Sequence, residues 1–281
     1  MKKYSIALGL TALLTAAGCR SLVYEDRSEC PSFLLFDIVN DEQFQPSDRI
    51  HITVYRQPEN ELADVRTPLL REIEERTFRF ELKKAEAWSG YGLLGVDKSR
   101  LAGDSKWMIE EGEQGDPLFR FHYHVPGFDE TEIVPVELVK DHSRVTLKFL
   151  RFDQFEGSGG QFPFKIVIKG NTCGIDARTG IPLRGDFLYS PEETFGGTFA
   201  FILPRQGDNA LTMELWAKPG LFSREGLIDT FNLSAMFQDL GNIDWEAKNL
   251  PDIYLEINYI ESVYHIFVRE WEEVNELNYE L

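Results

Sequence analysis

The chemistry legible in this 281-residue sequence begins at its cysteines and histidines. Cys19 closes the run Leu14-Thr15-Ala16-Ala17-Gly18-Cys19. Upstream, Lys2 and Lys3 form a basic head, and residues 5–17 are small or apolar and carry no charge. That is the layout of a bacterial export signal. The apolar run is shorter than the about 20 residues a transmembrane helix needs. A cysteine directly after small residues is the lipoprotein form of the signal, in which the thiol takes a diacylglycerol. Leucine is common three positions before such a cysteine; here Ala16 stands there and Leu14 lies two further back, a relaxed match. Residues 1–18 are therefore expected to be a lipoprotein signal peptide, with Cys19 as the lipidated residue. Each buried methylene of the acyl chains would contribute about 0.8 kcal/mol of membrane affinity. The alternative is an ordinary secretory signal and a free Cys19.

Cys30 and Cys173 remain. In an exported protein they could form one disulfide, which would close a loop of about 140 residues and be worth about 4–5 kcal/mol on the chain-entropy model. Two isolated buried thiols are the other reading, and spacing alone does not choose. His122 and His124, in Arg120-Phe121-His122-Tyr123-His124-Val125, would share one face of a strand, as two ligands of one metal must. No third ligand stands at a recognisable spacing, so no metal is expected. Nucleophile-elbow, zincin, Walker and Rossmann glycine patterns are absent from the sequence. Adjacent carboxylates such as Glu110-Glu111 and Glu272-Glu273 carry little information among 47 acids. Arg184-Gly185-Asp186 matches an integrin-type triplet that arises readily by chance. The expectation is a protein with no catalytic residues and no cofactor, not an enzyme.

Composition narrows the partners. The formal net charge is −18, so phosphate-rich partners would be repelled and nucleic acid is not expected. With 21 Phe and 10 Tyr, the chain has the makings of a folded, strand-rich protein rather than a disordered one.

Period-2 alternation places the strands. Phe33–Ile38 reads as a mostly buried strand. Ile50, Ile52 and Val54 share a face, as do Phe78, Phe80 and Leu82, and Val145, Leu147 and Phe149. After the glycine-rich stretch Gly157-Ser158-Gly159-Gly160 the pattern resumes with Phe164, Ile166 and Ile168. Phe199, Phe201 and Leu203 follow, then Leu211, Met213 and Leu215, and Ile253, Leu255 and Ile257. A last strand-like segment covers 263–271. Gly170-Asn171, Asp176 to Gly180, Gly207-Asp208-Asn209 and Pro219-Gly220 read as turns. Only residues 61–76 and 227–241 could hold short helices. The fold class expected is all-β, as two tandem β-sandwich domains over 19–156 and 161–281, divided at the glycine-rich stretch.

One resemblance gives these elements a context. Soon after Cys19 come Tyr24-Glu25-Asp26, Ser28, Cys30 and Pro31, then an apolar strand. This resembles the start of the fimbrillin-anchoring minor subunits of bacteroidal (type V) fimbriae. Ala87-Trp88-Ser89-Gly90 resembles that family's Trp-small-Gly element. Residues 136–149 resemble its strand pair with a Lys-polar turn. Phe164–Asp176 followed by Leu188-Tyr189-Ser190-Pro191 resembles the opening of its second domain, and Trp271 its late tryptophan. The sequence departs from the pattern at Arg120 and His122, and in a more acidic tail.

The resemblance implies two transthyretin-like (Ig-like) sandwiches and an anchor lipoprotein of the outer membrane, exposed at the cell surface. It implies a role in fixing a pilus base to the cell and supporting adhesion. Its partners would be fimbrial stalk or other pilus subunits, joined by β-strand addition, in which main-chain hydrogen bonds give affinity and side-chain pockets give specificity. Stalk subunits of that kind lose an N-terminal strand by cleavage after Arg. An anchor must keep its own, so Arg20 and Arg27 would have to be spared and Tyr24 to Ile38 would stay paired in the first sheet. Tyr264, Ile266 and Val268 in the C-terminal segment are the candidates for strand pairing with a partner; that segment serves equally as the last strand of its own sandwich. A different function class is a surface lipoprotein that binds glycan, with Trp88, Trp107 and Trp216 stacking on sugar rings.

Overall fold

A computed structural model describes residues 31–39, 44–97, 99–103, 105–154, 161–219, 226–258, 260 and 263–269. The chain is built from strands. β1 (Ser32–Ile38), β2 (Ile50–Arg56), β3 (Glu61–Arg66), β4 (Phe80–Leu82) and β5 (Trp88–Leu94) come first. β6 (Ser99–Leu101), β7 (Lys106–Ile109), β8 (Phe119–Val125), β9 (Thr131–Val136) and β10 (Val139–Lys140) follow. The remainder are β11 (His142–Phe149), β12 (Phe164–Asp176), β13 (Ile181–Tyr189), β14 (Glu193–Phe195), β15 (Thr198–Pro204), β16 (Thr212–Ala217), β17 (Leu227–Asn232), β18 (Asp252–Asn258) and β19 (Val263–Arg269). Among the described residues two short α-helices, α1 (Leu70–Glu74) and α2 (Leu233–Asp239), and a 3-10 turn at Phe152–Gln154 interrupt them. Asn232 caps α2, its side chain accepting from Ala235 N at 2.9 Å.

Two sheets enclose the first core. One has the order β4-β1-β9, with β1 antiparallel to β4 and parallel to β9; the other runs β10-β8-β5-β2-β3. Leu34 and Phe36 of β1 pack with Ile52, Val54 and Phe121 in one buried cluster. Gly90 and Gly92 in β5 explain the Trp-Ser-Gly element physically. A Cβ on Gly90 would lie 1.9 Å from Thr53 O and 2.5 Å from Tyr123 Oη, and one on Gly92 would lie 2.1 Å from the Phe121 ring. The two glycines let the Phe121 and Tyr123 rings cross the sheet and reach Phe36, with ring centroids 5.5 and 4.9 Å away.

The second core lies between a sheet of order β14-β15-β11-β18-β19 and one of order β17-β16-β12-β7-β6, with β13 hydrogen-bonded to β12. The expected alternation is observed: Val145, Leu147, Phe149, Phe164, Ile166, Ile168, Phe199, Phe201, Leu203, Leu211, Met213, Leu215, Ile253, Leu255 and Ile257 are all buried in it. Each fully buried side chain of this kind contributes about 1.5–3 kcal/mol.

Several local expectations are corrected. β11, assigned from the sequence to the first domain, pairs with β15 and β18 of the second core. β6 and β7, also early in the chain, extend the sheet of β12. The apolar clusters part between Leu138 and Val145; the stretch Gly157–Gly160 lies outside the described residues. Gly170-Asn171 is no turn: β12 runs through it, with register shifts that mark bulges. Residues 61–66 and 227–232 are strands, and the helices begin only after them. A third cluster joins Tyr55, Tyr91 and Leu93 to Trp107, Ile175 and Ala177. It joins β2 and β5 of the first domain to β7 and β12 of the second sheet system, and the Arg178 guanidinium covers the Tyr55 ring at 4.7 Å.

Candidate subunit-joining surfaces

β1 is the central strand of its sheet. The chain passes from Pro31 into a strand paired on both sides, with Ser32 Oγ donating to Leu82 O at 3.1 Å and Phe33 N donating to Glu130 O at 2.7 Å. Arg79 lies over the Phe33 ring at 4.0 Å. Without β1, β4 and β9 would have no common neighbour, and a groove lined by Phe80, Phe121 and Tyr123 would open. Cys19, Arg20, Tyr24, Arg27 and Cys30 lie outside the described residues.

β19 pairs with β18 along its whole length, from Val263 opposite Asn258 to Arg269 opposite Asp252. Val268 packs against the second core, while the side chains of Tyr264 and Ile266 lie outside the described residues. The segment therefore occupies the last strand of its own sheet. Among the described residues no strand pairs with its other side. A second open edge was not legible in the sequence. β13 is nine residues long, pairs with β12 on one side, is bridged by Gly112 at its last residue Tyr189, and exposes Ile181 and Leu188. Its signal was hidden by reading Gly170-Asn171 as a turn, which removed the partner strand. Long edges with exposed apolar side chains are where strand addition is easiest.

The remaining candidates are placed as follows. His122 and His124 do share the exposed face of β8. The His122 ring donates from Nε2 to Ala177 O at 2.7 Å, and Arg120 Nη1 stands 2.9 Å from Nδ1. Burial of the ring lowers its pKa from the ordinary value. Among the described residues no group of three His, Cys, Asp or Glu side chains could hold a metal ion. Trp88 and Trp107 are buried, so they cannot stack on a sugar; Trp216 is exposed and its Nε1 donates to Glu214 at 2.8 Å. The Arg184-Gly185-Asp186 triplet lies inside β13 and not at a loop tip. Gly185 is required there because a Cβ would meet the Cys173 sulfur at 2.5 Å. Cys173 is a buried free thiol whose pKa is raised by that burial.

A polar junction fixes the two cores together. Asp141 stands between β10, which pairs with β8, and β11, which pairs with β15. Its carboxylate has no exposed surface and accepts from Arg120 Nε at 2.6 Å and Arg205 Nε at 2.8 Å. Arg205 also donates to the carbonyls of Ala247 at 2.8 Å and Lys248 at 3.1 Å. Next to it, Lys140 Nζ meets Asp252 at 2.5 Å, and His142 shares a hydrogen bond between Nδ1 and Leu118 O at 3.1 Å. Charges buried this deeply are tolerated only when paired and hydrogen-bonded. The strand edges are thus presented by one connected body.

No family model and no curated protein matches the sequence. Solved structures do match the fold. The fimbrial anchor protein Mfa2 from Porphyromonas gingivalis superposes with a TM-score of 0.57 at 15% identity, over 86% of this chain and 98% of that one. A candidate adhesin from Bacteroides ovatus gives 0.60 at 12% identity, over 85% and 96%. A candidate polysaccharide-binding protein from Bacteroides thetaiotaomicron gives 0.59 at 12% identity, over 87% and 99%. Among the described residues no helix is long and apolar enough to cross a membrane. The chain is an all-β protein that shares its fold with a fimbrial anchor protein and with candidate adhesins.

Proposed function

We propose that this protein is a non-enzymatic fimbrial subunit of the anchor type, tethered to the outer membrane by a lipid on Cys19 and exposed at the cell surface. The observation that carries the reading is the position of β1. The first described strand after the lipidation signal is the central strand of the first sheet, buried by Leu34, Phe36 and Ile38. A subunit that gave up this strand would open its own core, whereas one that keeps it connects the lipid to the fold with few residues between. The fold shared with a fimbrial anchor protein supports the same reading. Joining to other pilus subunits would use an open strand edge, with β19 and β13 offering the longest unpaired sides among the described residues.

Cross-linking on intact cells tests the proposal, comparing the natural protein with Cys19→Ala. Recovery of pilin-like subunits with the natural protein, and shedding of fibres into the medium by the variant, are expected. Fibres that stay on the variant cells, with no subunit recovered from either strain, would overturn the reading.

A further inference from the structure

A groove lies along the loop between α2 and β18, with Ile181 and Pro182 at the start of β13 in one wall. Two adjoining hollows of about 470 and 350 Å³ share Gln206, Gly207, Trp245 and Glu246 in their walls. These volumes fall in the range of small-molecule sites. Trp245 stands where the hollows meet. Its ring is partly buried against the second core, with the Phe237 ring centroid 6.4 Å away, and the residue keeps part of its surface exposed. Around it in the second hollow stand Asp208, Asn209, Gln238 and Asp244.

The wall is held rigidly. Arg205 is anchored by Asp141 and donates to the main-chain carbonyls of residues 245, 247 and 248, so the loop bearing Trp245 is tied to the buried junction. Asp244 tightens the loop further, its Oδ1 accepting from Glu246 N at 2.9 Å. Holding the binding groups in place before the ligand arrives reduces the entropy lost on binding.

The lining identifies a ligand class. Carboxylate and amide groups accept hydrogen bonds from hydroxyls, and an indole face accepts an apolar, flat C–H surface. A pyranose ring offers both at once. The other apolar side chains of the walls, Val139, Ile181, Pro182, Ile243 and Ala247, are interspersed with polar ones, so an apolar helix or strand would leave those polar groups unpaired. Asp208, Asp244 and Glu246 stand in the second hollow with no Lys or Arg among its lining residues, and the cations lining the first are already engaged, Arg120 and Arg205 by Asp141 and Lys248 by Glu137, so the groove favours a neutral sugar over a carboxylated one. We propose that this groove binds a neutral oligosaccharide across Trp245. The proposal does not rest on fimbrial anchoring, and its failure would leave that reading intact.

Affinity electrophoresis of the full chain tests it, in gels containing yeast mannan, dextran or soluble starch as neutral probes and polygalacturonate as a charged one. Retardation in at least one neutral gel is expected, with none in polygalacturonate. Trp245→Ala is expected to weaken it about tenfold or more, while Trp216→Ala leaves it unchanged. Because Trp245 also packs on Phe237, a melting temperature accompanies that variant. Asn209→Ala and Gln238→Ala, at exposed positions, are expected to weaken retardation without altering the melting temperature, and they decide the matter if Trp245→Ala unfolds. No retardation in any neutral gel, equal retardation in polygalacturonate, or loss with Trp216→Ala but with none of the groove variants would overturn the proposal.

Discussion

Asp141 and Arg205 meet at 2.8 Å, with the carboxylate wholly excluded from solvent. They come from opposite sides of the junction, because Asp141 follows the strand that pairs with the first core and Arg205 follows β15 of the second. Arg120 completes the arrangement from β8. Replacing such a set by apolar groups can be neutral, but removing one partner strands a buried charge. Asp141→Asn leaves two guanidinium groups facing an uncharged amide. The expected cost is about 3–5 kcal/mol, read as a shift in the urea midpoint. A cost below about 1 kcal/mol would mean that water enters the junction and screens it.

His142 gives the protein a predictable acid sensitivity. Burial, and after it the nearby Lys140 ammonium, lowers its pKa to about 3. In the unfolded chain the imidazole titrates near its ordinary value of about 6.5. Below that pH the unfolded state takes up a proton that the folded state refuses, so stability falls as pH drops. The loss approaches about 1.4 kcal/mol per pH unit and levels off near pH 3. His142→Gln does not titrate and its amide can still donate to Leu118 O. Between pH 6.5 and 5 the natural protein is expected to lose about 2 kcal/mol more than the variant in urea titrations. Parallel stability curves would show that the folded protein protonates His142 freely.

Gly90 tests the close approach that brings Tyr123 to Phe36. An added Cβ would strike the Thr53 carbonyl at 1.9 Å, a backbone atom that cannot turn away. Gly90→Ala is expected to cost about 1–3 kcal/mol or more, as overpacking does. Ser89→Ala, one residue earlier, loses only the hydrogen bond from Gln57 and is expected to cost about 1 kcal/mol. Thermal melts of the two variants give the comparison.

The contrast between these sites shows what a period-2 pattern encodes. Val145, Leu147 and Phe149 announce a buried face, and that face was legible. The pattern says nothing of which strands flank it, and β11 joins β15 and β18, more than 50 residues further on. A bulge defeats the reading in another way: Gly170 and Asn171 are turn residues by type, yet in β12 they absorb a register shift inside one long strand. The Trp245 groove was invisible for a simpler reason. Its walls come from loops without periodicity, and its rigidity comes from one arginine reaching main-chain carbonyls 40 residues away. The burial of Phe33–Ile38 was legible, because an apolar strand directly after Pro31 has to be buried somewhere, but its central position between β4 and β9 was not.

That placement leads to the most direct test of the strand logic. β1 supplies both β4 and β9 with hydrogen-bond partners and fills the space beside Phe80, Phe121 and Tyr123. A chain beginning at residue 40 would lose these contacts while keeping the second core and the junction at Asp141. The truncated chain is expected to bind an environment-sensitive apolar dye and to be cut rapidly by trypsin within 44–97. A synthetic peptide covering residues 31–39 should suppress both effects by taking the vacant central position. A peptide with Leu34→Asp and Phe36→Asp should not, because its backbone can pair but its side chains cannot enter the core. If both peptides rescue equally, the main-chain ladder alone holds β1. If neither does, the first sandwich needs covalent continuity with its N-terminal strand, and a strand supplied by another subunit could not replace it.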